Sequence, residues 1–384
     1  MKKMLAILMS IMLVGMVFVG CGSQSEGEGE ETGSKIALIT DKGNIDDKSF
    51  NQGSWEGVVE FAEANNISHK YYKPEEANDA GYLAAIDLAV TGGAEVIVTP
   101  GFLFEVPVYE AQTKYPDIKF ILLDGAPRTA DYKTFETKEN VASVFYSEEQ
   151  SGYLAGYAAV TDGMTSLGFM GGMAVPAVQA FGYGYLQGAE AAAAELGLAD
   201  GAVEVTYHYT GNFDESDTNK ATARTMFQEG TEVIFAAGGA VGKSVMSAAA
   251  EAEAKVIGVD VDQRYDSETV ITSATKGLAA SVVAVLDSIY KSDSWDTYSG
   301  TSTYFNAAND GVGLPTEVIG EEGADAFDRF ESFDKAAYDA VFATLVDGSV
   351  ELLRTIEVAD ATGYATAEEL TSGLGLSKVA VTVR

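Results

Sequence analysis

Short apolar runs alternate along this chain with longer stretches of helical period. The runs are KIALIT at 35–40, EVIVTP at 95–100, KFILL at 119–123, LGFM at 167–170, VIFAA at 233–237 and KVIGV at 255–259. Between them, apolar residues recur at helical spacing over 49–64, 79–90, 105–115, 148–160, 178–196, 219–228 and 242–252. Short apolar runs alternating with longer helical stretches predict βα units and a parallel sheet. The pattern occurs twice, before about residue 140 and again over 165–260, which predicts two similar lobes. Gly57 and Ser54 in one helical stretch, and Gly184 and Gly188 in another, are expected to let those helices pack closely on a sheet.

The strand ends carry the first functional hint. The six runs stop at Asp41, Gly101, Asp124, Gly171, Gly238 and Asp260, residue types that let a backbone approach a ligand or offer it a carboxylate. In open α/β sheets ligands lie off the carboxyl ends of the strands. The junction DKGNIDDKSFNQG at 41–53 joins a strand to a helix start, whose first N–H groups lack intrahelical partners. A purely structural account fits the same residues, with Asp46 or Asp47 capping the helix and Phe50 stapling it to the sheet.

Beyond Asp260 the alternation weakens. TVITSAT at 269–275 reads as extended, 276–291 and 334–346 as helical, and 292–331 is rich in Gly, Asp, Thr and Ser. The tail from 351 to 384 ends in KVAVTVR, a strand-like run to which the sequence assigns no role.

Composition narrows the partners. The 384 residues are 47% hydrophobic, enough for one large core or two lobes of ordinary domain size. Acidic residues outnumber basic ones 58 to 24, for a net charge of −34, so a nucleic-acid backbone is repelled and no nucleic-acid partner is expected. Solubility or a salty habitat accounts for so acidic a surface. A single cysteine excludes an intrachain disulfide and a cysteine-based metal cluster.

That cysteine, Cys21, has a telling position. Lys2 and Lys3 precede an apolar run from Met4 to Val19, then Gly20 and Cys21, the layout of a secretory signal over 1–20. The segment VFVGC resembles a bacterial lipobox, with Phe18 where Leu is usual; cleavage there leaves Cys21 as a lipid-bearing, palmitoylated N-terminus. An uncleaved anchor is the alternative. GSQSEGEGEETGS at 22–34 contains no apolar residue and reads as a flexible linker.

Chemistry of the catalytic kind finds little support. His69 and His208 are isolated in strand-like runs, where packing explains them better than a metal or acid–base role, and neither H-E-x-x-H nor G-x-S-x-G occurs. AGGAVGKS at 237–244 imitates a phosphate loop, but Ala237 stands where the first glycine is needed. Aromatic rings and carboxylates at strand ends favour binding over turnover: rings stack on a heterocycle while carboxylates accept from ring N–H groups or sugar hydroxyls.

Five ordered motifs carry a family resemblance: DDKSFNQGSWEG at 46–57, NVASVFYSEEQSGYLAG at 140–156, LGFMGGMAVPAVQAFGYGYLQG at 167–188, VIFAAGGAVGKSV at 233–245 and IGVDVDQ at 257–263. Over 35–348 the chain resembles the basic membrane protein family, the substrate-binding lipoproteins of ABC transporters similar to purine nucleoside receptors. The resemblance implies an α/β type I periplasmic-binding-protein fold, two doubly wound parallel-sheet lobes joined by crossing strands. One lobe is expected at 35–145 with 270–299 returning to it, the other at 146–269 with 300–350, and 351–384 as an extension.

Carried over by motif, Phe50 and Phe181 would stack on opposite faces of a purine, and Asn51 and Asp124 would contact its edges. Asp260 and Lys276 would hold ribose hydroxyls, and Asp41 would line the cleft. The implied protein is a monomeric, lipid-anchored receptor on the extracytoplasmic face of the cell membrane. It would deliver inosine, guanosine or adenosine to ABC permease subunits, with no cofactor, no metal and no catalysis. A same-fold receptor for a sugar or furanose signal is the alternative.

Overall fold

The computed structural model describes residues 34–384. Cys21, the signal segment and the linker up to residue 33 lie outside the described residues. Among the described residues no helix is long and apolar enough to cross a membrane.

The first lobe is built from β1 (Ile36–Ile39), α1 (Phe50–Ala64), β2 (His69–Tyr72), α2 (Asp79–Thr91), β3 (Val96–Pro100), α3 (Glu105–Lys114), β4 (Lys119–Leu123) and β5 (Val141–Tyr146). The second holds α4 (Glu148–Thr161), β6 (Ser166–Gly171), α5 (Pro176–Glu195), β7 (Val203–Tyr209), α6 (Asp217–Gln228), β8 (Val233–Ala237), α7 (Val241–Ala252), β9 (Lys255–Asp260) and β10 (Val270–Lys276). There follow α8 (Leu278–Tyr290), β11 (Thr301–Phe305), β12 (Val312–Gly313), α9 (Lys335–Val346), α10 (Ala367–Leu374) and β13 (Val379–Val383).

The core strands of both sheets share one order. The first runs β2-β1-β3-β4-β5 and then β11, and the second runs β7-β6-β8-β9-β10 with β13 beyond β7 and β12 beyond β10. Among the described residues the named strands pair in parallel except β10 with β12. Side chains alternate between the two faces: Ile36 and Leu38 of β1 join the core shared with α1 and α8, whereas Ala37 and Ile39 join the one under α2 and α3. In the second sheet Phe169 and Phe235 face α5, and Met170 and Ile234 face α6 and α7. Strands buried on both faces are apolar at most positions, which is why these runs are conspicuous in the sequence.

The small residues pack differently from expectation. A Cβ on Gly57 would lie 2.7 Å from the Ala279 carbonyl oxygen of α8, and one on Gly184 or Gly188 would lie 2.0 or 1.9 Å from the carbonyl oxygens of Glu149 and Tyr153 in α4. These glycines bring helix against helix, not helix against sheet. They seat α4 and α5 at backbone contact.

The chain crosses between lobes at 146–148, 276–278 and 305–312. The expected boundaries fall early: β10 belongs to the second sheet, and β11, expected in the second lobe, extends the first. The tail also acquires a place. It lies along α5 and adds β13 to β7, with Val379 opposite Val203. The Glu190 carboxylate accepts from the backbone N–H groups of Ser377, Lys378 and Val379.

Candidate ligand-binding site

In each sheet the strand order reverses beside the first strand, between β1 and β3 in one and between β6 and β8 in the other. Loops leaving such a point in opposite directions open a crevice. The two crevices face each other across a cavity of about 330 Å³, whose walls include Asp41, Phe50, Asn51, Asp124, Phe181, Asp260 and Lys276. The structure thus brings together all seven residues singled out from the sequence. The volume suits a small molecule.

The β1–α1 turn is held by a carboxylate. Asp47 accepts from the N–H groups of Ser49, Asn51 and Gln52, so it caps α1 from two residues ahead of Ser49. Asp46 takes no part in this cap. Asn51, expected to meet a ligand's edge, has both amide donors engaged, on Asp41 Oδ1 and Asp47 Oδ2 at 2.8 Å each, while its Oδ1 accepts from the Asp41 N–H. It orients Asp41. Burial pushes the Asp41 carboxyl up to about 6, with Gly43 and Asn51 holding it back and Asp47 and Asp260 adding repulsion.

Across the cavity stands Lys276, buried at the end of β10. Its ammonium lies 2.6 Å from Asp124 Oδ2, 3.4 Å from Asp260 Oδ1 and 3.8 Å from Glu148 Oε1. Burial pulls its pKa down, but Asp124, Asp260 and Glu148 outweigh this and hold it charged, well above the usual lysine range. The same ammonium faces the rings of Phe50 at 4.4 Å and Phe181 at 5.5 Å. Phe50 opens α1 in the first lobe and Phe181 lies early in α5 of the second, where it also packs edge-on against Phe235. Lining the cavity and belonging to the core are therefore both true of Phe181.

Asp124 and Asp260 follow or end their strands with φ of 54° and 67°. A left-handed backbone is uncommon for any residue but glycine, though Asp tolerates it better than most. Here it terminates β4 and β9 and presents a carboxylate at the cavity wall. Asp124 is pushed up to about 6 by burial, against the pull of Lys276 and Arg354 and with repulsion from Glu148. Its Oδ1 is buried without a hydrogen-bond partner. Asp260 Oδ2 accepts from the Ser49 hydroxyl, a bond between lobes.

Three further contacts join the lobes near this bond. Gln263 Nε2 donates to the Lys48 carbonyl at 2.7 Å, Lys243 Nζ to the Asp46 carbonyl at 3.3 Å, and Lys48 pairs with Asp266 at 3.6 Å. The β1–α1 turn is docked on the second lobe, and the site is closed around its cavity.

Sequence reasoning passed over several wall residues. Phe102 directly follows Gly101 at a strand end and was within reach of the strand-end rule. Phe213, in the loop after β7, carried no such signal; it lies where Gly172 leaves room, since a Cβ there would come within 2.4 Å of its ring. Gly238 and Gly239, from the false phosphate loop, line the cavity as a plain strand-to-helix turn. The histidines stay outside it: His69 packs on Trp55, and His208 bonds the Arg384 carbonyl.

Comparison with known proteins places this geometry among binding proteins. The model of the family described as "ABC transporter substrate-binding protein PnrA-like" matches residues 34–336 and stops short of the segment that carries Arg354. The chain is 28% identical over 353 residues to the ABC transporter nucleoside-binding protein BmpA of Lactococcus lactis, covering 85% of this chain and 95% of that one. It is 27% identical over 337 residues to a CD4+ T-cell-stimulating antigen of Listeria innocua, covering 82% and 90%. Among solved structures, an ABC transporter solute-binding protein from Aeropyrum pernix K1 superimposes with a TM-score of 0.73 at 24% identity, over 88% of this chain and 98% of that one, a likeness of fold.

Proposed function

The chain belongs to the family of PnrA-like ABC transporter substrate-binding proteins, and from that premise we propose that it captures a purine nucleoside between its lobes and delivers it to permease subunits. One observation carries the ligand class. Phe50 and Phe181, from opposite lobes, line the same cavity on either side of the Lys276 ammonium, and Asp124 in the same wall keeps Oδ1 without a donor. Rings on two sides suit the two faces of a heterocycle, and a carboxylate at its edge suits a ring N–H. Asp260 and Lys276 are then left for the ribose hydroxyls, with Asp41 lining the cleft. The name of the Lactococcus relative supports a nucleoside as the ligand class.

Capture proceeds by closure. The stacking faces come from different lobes, so the ligand favours the closed state through contacts the open state lacks. Nothing in this reading alters the ligand. Delivery takes place at the membrane surface, where the proposal assigns Cys21 as the lipid anchor.

The test is calorimetric titration of the protein with inosine, guanosine and adenosine, with ribose and other pentoses as competitors. Micromolar or tighter binding of a purine nucleoside, undisturbed by excess pentose, is expected. Binding of the pentose alone would replace this reading by the sugar-receptor one.

A further inference from the structure

Two of the crossings between lobes run side by side. β5 ends at Tyr146 and α4 begins at Glu148, while β10 ends at Lys276 and α8 begins at Leu278. Glu148 and Lys276 therefore meet at the crossing, Lys276 in the cavity wall and Glu148 behind it. The Glu148 side chain is 1% exposed, and a buried carboxylate needs a paired cation. Lys276 is 3.8 Å away and already serves Asp124 and Asp260. The close partner is Arg354, whose Nη2 lies 2.5 Å from Oε2 as an ion pair, without the geometry of a hydrogen bond.

Arg354 comes from the C-terminal segment. Leu353 beside it exchanges two 2.9 Å hydrogen bonds with the Gln187 side chain of α5, which fixes where the arginine enters. Its Nη1 donates to the Tyr146 carbonyl at 2.7 Å and to Glu149 Oε2 at 2.6 Å. One guanidinium thus grips the last residue of β5 and the first two of α4.

We propose that Arg354 is a positioning residue for the binding site: by neutralising Glu148 it leaves Lys276 free to hold Asp124 and Asp260, and so sets ligand affinity and its dependence on pH. The proposal rests on the nucleoside-receptor reading for its ligand, but its electrostatic part does not. Without Arg354, one flexible ammonium would face three buried carboxylates. Lys276 would swing toward Glu148, and Asp124, which Arg354 helps to keep ionised, would hold its proton to higher pH. The charged and titratable groups facing Glu148 are Lys276 from β10, Asp124 from the end of β4, Glu149 on its own helix, Arg354 from the tail, and Tyr146 from β5. Asp260 of β9 acts through Lys276.

The experiment titrates inosine into the full chain from pH 5 to 8 for the wild type, Arg354→Met, Arg354→Lys and the double variant Glu148→Gln/Arg354→Met. In Arg354→Met the affinity at pH 7 is expected to fall about tenfold, and the pH at which half the affinity is lost to rise by about one. Arg354→Lys and the double variant are expected to bring that midpoint back, because each restores the charge balance. An unchanged midpoint and affinity in Arg354→Met, or a loss of affinity that neither second variant reverses, would overturn the proposal. Urea unfolding of the ligand-free proteins at pH 5.5 and 8 keeps this apart from the nucleoside question. Arg354→Met should lose more stability at pH 8 than at pH 5.5, with the difference abolished in the double variant. Equal losses at both values refute it even if no nucleoside binds the wild type.

Discussion

Replacing Lys276 by Met removes the cation that Asp124, Asp260 and Glu148 share while keeping most of the side-chain volume. The pair with Asp124, at 2.6 Å and nearly excluded from water, is the closest of the three. Breaking a buried pair from one side leaves an unpaired charge and costs about 3 to 5 kcal/mol. That cost depends on pH in a definite direction. The Asp124 carboxyl sits at about 6 in the folded chain against an ordinary 3.8, so the native state binds its proton more readily than the unfolded state does. A group raised in this way contributes stability that is fully present below its ordinary value and is lost as pH rises through about 6. The shift corresponds to about 3 kcal/mol. Without Lys276 the carboxyl rises further, and the variant escapes part of its penalty by protonating Asp124 in acid. Urea unfolding followed by far-UV circular dichroism, as variant against wild type, should therefore show a loss of about 3 to 5 kcal/mol at pH 8 and a clearly smaller one at pH 5. Subtracting the wild type removes the trend of the same sign from Asp41. A loss below about 1 kcal/mol at pH 8, the size of a surface pair, or an equal loss at both pH values, would refute the buried-cluster argument.

Other consequences of the same geometry can be measured directly. Phe50→Ala and Asp260→Ala should each weaken purine nucleoside binding tenfold or more, since a desolvated stack or a charge-assisted bond contributes about 1 to 3 kcal/mol; calorimetry giving wild-type affinity for both would sink the assignment of the site. Nucleoside affinity should fall as pH drops through about 6, where Asp41 and Asp124 take up protons and lose acceptor capacity. Between pH 7 and 5 the fall is up to about tenfold for each carboxylate that must stay ionised. Over that range the ligand-free protein is stabilised by the same protonation, so a binding curve that is flat or rises toward acid contradicts the reading. Gly188→Ala places a methyl 1.9 Å from the Tyr153 carbonyl oxygen and must push α5 off α4. Thermal unfolding should register a loss of at least about 1 to 3 kcal/mol, and an unaltered midpoint would mean that the two helices are not held at backbone contact.

Charged residues in and behind the cavity wall sit where the chain changes lobes. Lys276 ends the strand before one crossing and Glu148 opens the helix after another. On the proposed reading, a ligand that engages Asp124 or Asp260 would also touch the charges at these crossings, because both carboxylates pair with Lys276.

The βα alternation, the two lobes and the carboxylates that line the cavity were all legible in the sequence. The physical reason is local: strands buried on two faces are apolar at most positions, and a strand end that turns toward a ligand calls for Gly or Asp, so both signals lie within a few neighbouring residues. Asp41, Asp124 and Asp260 were legible in this way. Only the tertiary structure decided what those residues touch. Asn51 lines the cavity with both amide donors held on Asp41 and Asp47 by the path of the β1–α1 turn, and Gly184 and Gly188 serve α4 rather than a sheet. The exposed run TSTYF of β11, unremarkable in composition, joins the first sheet because the chain crosses back to pair it with β5. Arg354 meets Glu148 across more than 200 residues of sequence, a separation over which no periodicity or motif reports.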